Sequence, residues 1–373
     1  MCYNEIINKL NKNKGDTMQH FDTVGSFLRP DALKVARKQY EGGKLKREGL
    51  QVVEDRAIIE LIKEQERAGL HYITDGEFRR SFWHLDFMWG FKGVSDDHDI
   101  QNIDINGVDT RLGNVIVEGT LSGKGHPFIE HYKFVKQHIT DGHEVKLTIP
   151  SPAQFLHTIL FSPYQPNFGQ VYPNTQEQIM GVGDAYLDFL EELYLEGARV
   201  VQFDDCSWGT LVGLDGDIEW MKDIFLEANN YVLERIPKDL KTFMHICRGN
   251  YKSQHFSTGP YDSISQHVFD QQKIDTYYLE YDDIRSGGFE PLRDLTENKQ
   301  VVLGLVTTKT PELEDKETII ARIREAAEIV PLERLSLSPQ CGFSSTEEGN
   351  SLTHEQQWAK IKLIKEIAEE VWG

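Results

Sequence analysis

Apolar residues recur along this chain in two alternating rhythms. One rhythm is the short run, seen in "DTVGSF" (22–27), "YITDGE" (72–77), "VKLTIPS" (145–151), "VVQFDD" (200–205), "TFMHIC" (242–247), "YYLEYD" (277–282), "VVLGLV" (301–306) and "RLSLSPQC" (334–341). Runs of this length, rich in β-branched and aromatic residues, predict buried strands. The other rhythm is helical, with apolar residues at i, i+3 and i+4 in "VVEDRAIIELIKEQERAG", "AYLDFLEELYLEGA", "ETIIARIREAAEIV" and "HEQQWAKIKLIKEIAEEVW". Gly69 and Gly197 sit where two of these helices should end, the usual place for a left-handed cap. Eight strands separated by helices predict an α/β chain folded as a (β/α)8 TIM barrel over residues 21–373, preceded by an N-terminal extension (1–20). Between about 92 and 142 the pattern becomes Gly/Asp-rich and β-alternating, which predicts an inserted β-rich segment of hairpins. The alternative, a true barrel strand within this stretch, would shift the strand count.

Most of the predicted strands carry polar residues at their C-terminal side. These are Ser26, Asp75 and Glu77, Ser151, Asp204 and Asp205, His245 and Cys247, Glu280, and Cys341. In such barrels the C-terminal rim is where active sites assemble from several strands. Groups needed only for stability would be scattered instead.

Composition narrows the class of function. The chain has 373 residues, 39% of them hydrophobic, and a formal net charge of −20. So acidic a surface disfavours nucleic acid and anionic membranes as partners. The apolar runs are too short to span a bilayer, and the polar N-terminus lacks the apolar core of a secretory signal, so a cytoplasmic location is expected. The four cysteines, Cys2, Cys206, Cys247 and Cys341, therefore suggest metal binding or reactive thiols rather than disulfides.

His245 and Cys247 lie two apart in a predicted strand and so point to the same side. Glu280 should face the barrel interior, where an unpaired carboxylate is costly unless a cation offsets it. With Cys341 these residues form a mixed N/O/S donor set, which favours zinc over magnesium or calcium.

The motifs "TVGSF", "DGE", "QFDD", "HIC", "YLEYD" and "SPQCG", in that order over roughly residues 20–373, resemble the catalytic C-terminal barrel of cobalamin-independent methionine synthase. The resemblance implies zinc held by His245, Cys247, Glu280 and Cys341. It also implies a homocysteine substrate whose amino-acid portion is held at Val24, Ser26, Glu77 and Asp204. The implied reaction is transfer of a methyl group to the homocysteine thiol. Zinc matters there because a free thiol is mostly protonated at neutral pH, whereas a metal-bound one is not.

Three departures from the family bear on the methyl donor. The chain has room for only one of the family's two barrels. Pro152 stands near the place of the family's folate-stacking Trp. Lys309, in "GLVTTKTPELED", corresponds to the family's catalytic His, and lysine's usual pKa near 10.4 suits proton donation less well. The donor thus stays open among a methylated folate, a methylated corrinoid protein and a small sulfonium compound. Two rival activities are a zinc-dependent transferase or lyase acting on another small thiol, and a decarboxylase resembling the uroporphyrinogen decarboxylases. The first would not need the ammonium partners Glu77 and Asp204, and the second would not need the metal set. Asp205 and Cys206 replace the family's Glu-Pro, and Cys206 is read as a buried small residue. Trp83 and Trp89, in "SFWHLDFMWGF", are expected at a lid, a core patch or an oligomer contact. "RSGGFEPLRDL" (285–295) is read as a plain loop.

Overall fold

The computed structural model describes residues 19–105, 108–214 and 216–373, without the side chains of 96–112; Cys2 and most of the N-terminal extension lie outside the described residues. The strands are β1 (Tyr72–Ile73), β2 (Lys92–Ile105), β3 (Val108–Ser122), β4 (Glu144–Val145), β5 (Leu147–Pro150), β6 (Val200–Asp205), β7 (Lys241–Ile246), β8 (Thr276–Glu280), β9 (Gln300–Val306) and β10 (Leu335–Pro339). A parallel six-stranded sheet runs from β5 through β6, β7, β8 and β9 to β10. Only Lys146 separates β4 from β5, so these two form one stave, and β4 pairs in parallel with β1.

The first predicted strand closes the barrel through a few contacts. Phe21 bridges Leu337 of β10 in parallel. On its other flank, Phe27 N–H donates to Gly76 O, and the Thr74 hydroxyl donates to Gly25 O at 2.6 Å. Gly25 explains why no longer ladder forms: its φ is +134°, and a Cβ there would stand 2.7 Å from the Thr148 methyl. The eight expected staves are thus present and closed, as a (β/α)8 barrel requires.

Helical periodicity is realised where the sequence shows it. The helix Arg47–Ala68 buries Leu50, Ile58, Leu61 and Ile62 and ends at Gly69 with φ +84°. No helix among the described residues is long and apolar enough to cross a membrane.

The inserted segment divides in two. β2 and β3 form an antiparallel hairpin, with Lys92 opposite Ser122 and Ile105 opposite Val108. The hairpin is a sheet of its own and adds no stave. It is tied to the barrel's outer layer by Leu121 N–H donating to the Tyr172 hydroxyl (2.8 Å) and by Trp89 Nε1–H donating to Asn114 O (2.9 Å). The β-rich reading fails beyond Ser122, because Phe128–Lys136 is a helix. It buries Phe128, Ile129, Tyr132 and Val135, a helical spacing that the surrounding Gly/Asp-rich alternation obscured.

Candidate metal centre and substrate cavity

The parallel register aligns the chemistry of neighbouring staves. Asp204, His245 and Tyr278 occupy one level of β6, β7 and β8. The ladder continues upward, since Cys247 N–H donates to Asp205 O at 2.8 Å. That step sets Cys206, Cys247 and Glu280 side by side at the next level, and Cys341 arrives from the turn after β10. His245 and Cys247 share a face because strand side chains alternate.

The ligand atoms of His245, Cys247, Glu280 and Cys341 lie within 4.8 Å of one another, and all four residues are buried. The sulfurs of Cys247 and Cys341 are 3.8 Å apart. His245 Nδ1 is 3.2 Å from the Tyr278 carbonyl oxygen, which can only accept, so Nδ1 carries the proton. Nε2 is left as a lone-pair donor, buried, with no oxygen or nitrogen partner, facing the Cys341 sulfur. A fixed tautomer with a bare second nitrogen is the arrangement found in metal-binding histidines. The Cys341 thiol is pushed well above its ordinary pKa, first by its bond with Cys247 and then by burial. Two buried thiols so close cannot both ionise without a cation between them. The donor set therefore fits a zinc-sized soft cation.

Glu280 is the exception within this cluster. Its Oε1 accepts from Arg248 N–H and its Oε2 from Arg285 Nη2, both at 2.7 Å. The protein's own groups already balance this carboxylate. Arg285 opens the stretch read as a plain loop, and folding turns it back onto Glu280. Lys309 lies 3.3 Å from Asp282 and 3.8 Å from Glu280. It is paired at the edge of the same cluster and is not among the residues lining the cavity beside it.

That cavity, of about 210 Å³, is lined by His245, Cys247 and Cys341 of the metal site and by Val24, Ser26, Glu77 and Asp204, while Glu280 is not among its lining residues. Glu77 is held with φ +61° directly after Gly76, a backbone strain of the kind that concentrates at functional sites. Its Oε1 accepts from the Thr148 hydroxyl at 2.8 Å, and Arg80 Nη1 is 3.4 Å away. Its Oε2 is buried without a partner. Arg79 instead pairs with Glu54 and Asp55. Burial raises the Glu77 carboxyl above its usual value. Asp204 is raised well above the usual range, first by burial and then by the charge of Glu77. Its Oδ1 accepts from Gln202 Nε2 (2.8 Å), which also donates to the Val24 carbonyl (2.6 Å). Two buried carboxyls, one with a bare oxygen, offer acceptor groups of the kind that suit a small cation such as an ammonium group.

The remaining lining includes Phe82, Trp83, His84, Tyr251 and Phe256, interspersed with polar groups such as Asn250 and Gln254. Burial, then the nearby His157, lowers the His84 pKa to about 3, so it is neutral. Of the two tryptophans in "SFWHLDFMWGF", Trp83 lines the cavity while Trp89 anchors the hairpin. Pro152 starts a helix capped by Ser151, whose hydroxyl accepts from Gln154 N–H, and faces no part of the cavity. The loop carrying Tyr251 and Phe256 has no periodic signature, so its part in the site was not visible in sequence. Cys206, expected to be an ordinary buried residue, is half-buried and lines the cavity.

Known proteins supply an independent comparison. The family model described as "Cobalamin-independent synthase, Catalytic domain" matches residues 21–369. The chain is 40% identical over 361 residues to the uncharacterized protein YxjH of Bacillus subtilis, covering 94% of both proteins. It is 22% identical over 359 residues to a methionine synthase of Saccharolobus solfataricus, covering 93% of this chain and 94% of that one. A crystal structure from Listeria monocytogenes, provisionally named a vitamin-B12 independent methionine synthase, superposes with a TM-score of 0.76 at 33% identity, covering 95% of this chain and 98% of that one. A B12-independent methionine synthase of Shewanella sp. W3-18-1, solved with selenomethionine, shares the fold with a TM-score of 0.73 at 20% identity, covering 95% and 97%.

Proposed function

This chain belongs to the cobalamin-independent methionine synthase family, through its catalytic domain, and from that premise we propose that it transfers a methyl group to the sulfur of homocysteine, forming methionine with zinc as its metal. The observation that carries this reading is one cavity with two complementary ends. His245, whose Nε2 has no oxygen or nitrogen partner, lines it with the thiols of Cys247 and Cys341, and Glu77 and Asp204 line it without a full cationic partner. A small amino acid with a terminal thiol spans such ends.

His245, Cys247, Cys341 and Glu280 would hold the zinc. Once bound, zinc keeps the substrate sulfur as a thiolate at neutral pH, able to attack an electrophilic methyl group. The Tyr278 carbonyl fixes the His245 ring, and Gly249 N–H donates to the Cys247 sulfur at 3.4 Å. Asp204 and Glu77 take the substrate ammonium, and any proton they hold is released as it arrives. The Ser26 side of the first stave receives the rest of the amino-acid portion. Phe82, Trp83, Tyr251 and Phe256 exclude water from the path of the methyl group. The donor belongs to one of three classes: a methylated folate, a methylated corrinoid protein or a sulfonium compound.

A transferase acting on a thiol without an amine would leave the Glu77 and Asp204 end without a use, which favours homocysteine. The test is direct. Protein purified without chelators should contain about one zinc per chain and form methionine from homocysteine with one of the three donors. A metal-free protein, or metal-loaded protein inert with all three, overturns the proposal.

A further inference from the structure

β6 delivers a third sulfur to this cavity. Cys206 follows β6 directly, at the level of Cys247 and Glu280, and its backbone N–H donates to Gln154 Oε1 at 2.9 Å. The register of β6 and β7 sets it beside Cys247, and its side chain lines the cavity together with His245, Cys247 and Cys341. It is not one of the four residues whose ligand atoms cluster within 4.8 Å, and it borders that cluster on the side of Cys247. A change between staggered rotamers moves its sulfur while the backbone stays fixed.

We propose that Cys206 is a further ligand of this centre, holding in the substrate-free protein the place that the substrate sulfur later takes. The inference rests on the zinc reading above. This amends the four-ligand set given above: five side chains would compete for four places, and Glu280 would yield its place to Cys206. His245 Nε2 has no oxygen or nitrogen partner and Cys341 has only weak ones, so both gain by ligation. Glu280 gains least, because Arg248 N–H and Arg285 already occupy its oxygens at 2.7 Å. A thiolate is also the softer donor and suits zinc better than a carboxylate already committed to a guanidinium.

Sulfur-for-sulfur exchange also avoids an electrostatic cost. When the substrate thiol enters, one metal–sulfur bond forms and the one to Cys206 breaks. The substrate's proton passes to the Cys206 sulfur, and nothing is oxidised or reduced. The net charge of the buried centre stays the same before and after, whereas replacing a neutral ligand would add an uncompensated charge.

Zinc X-ray absorption on the full-length zinc-loaded protein counts these sulfurs without turnover. The wild type should show three sulfur neighbours without substrate and still three with homocysteine. Cys206→Ser should show two alone, with Glu280 oxygen filling the gap, and three once homocysteine is added. Two sulfurs in substrate-free wild type, unchanged by Cys206→Ser, would overturn the role of Cys206 and leave the centre standing. Absence of zinc from the wild type would overturn both. Cys247→Ser, which removes an original ligand, should lose most of its zinc, and full zinc content in that variant would mean that the centre itself is elsewhere.

Discussion

Two buried carboxylate sites, Glu280 in the metal-site cluster and Glu77 with Asp204 in the cavity lining, are solved in opposite ways. Glu280 accepts from a backbone N–H and a guanidinium, with Lys309 close behind. Glu77 and Asp204 share a hydroxyl, an amide and one arginine at 3.4 Å, and one Glu77 oxygen has nothing. A buried charge that the protein balances internally is a structural element. One left short of a cation is poised for a ligand that brings it. In the proposed reading the contrast separates the scaffold of the metal end from the receptor of the substrate end, although both consist of acidic residues at strand ends.

The sharpest way to break this contrast is at the metal end. Cys341→Ser should lower zinc content and reduce methyl transfer by on the order of a thousandfold, equivalent to several kcal/mol of transition-state stabilisation. Metal analysis beside initial rates would show whether the two losses go together. Next in size, Arg285→Leu strips Glu280 of its partner and should cost roughly 3–5 kcal/mol in urea denaturation. Adding Glu280→Gln should recover most of that loss, and failure to do so would mean that Arg285 acts elsewhere.

At the receptor end, Asp204→Asn should raise the KM for homocysteine by about 10- to 100-fold, in line with the loss of one charge-assisted hydrogen bond, while zinc content stays constant. A smaller effect follows from pH. Because Asp204 is raised above its usual range, lowering the pH through that raised value protonates it and removes the charge that attracts the ammonium. Homocysteine KM should therefore climb as pH falls, and Asp204→Asn should lose that limb. The stability sign is the reverse. The folded protein holds this proton more tightly than the unfolded chain does, so the stability it contributes is lost as pH rises through the folded value. The smallest effect is expected at Lys309: Lys309→Ala should change turnover less than about threefold, since its ammonium serves Asp282 and Glu280. A large loss with a displaced pH profile would instead assign it a proton-transfer role.

Much of this was legible in the chain. Strands and helices were readable because burial imposes periods of two and 3.6 on any amphipathic segment. The pairing of His245 with Cys247 was readable because alternation on a strand is local geometry. The helix Phe128–Lys136 was lost because its four buried residues follow directly on a Gly/Asp-rich, β-alternating stretch. Arg285 was missed for another reason: its partner is only five residues away, but a turn, not a periodic element, brings the two together.

The sequence by itself determined the barrel, the level of each polar group on its stave, and the donor types available to a metal. Folding alone decided which of those groups would be spoken for. Whether Glu280 meets a guanidinium, Glu77 keeps a bare oxygen, Lys309 pairs with Asp282, or Cys206 comes to stand beside Cys247 depends on loop paths and on contacts between distant staves. Such contacts are set by packing in three dimensions, and no local period along the chain encodes them.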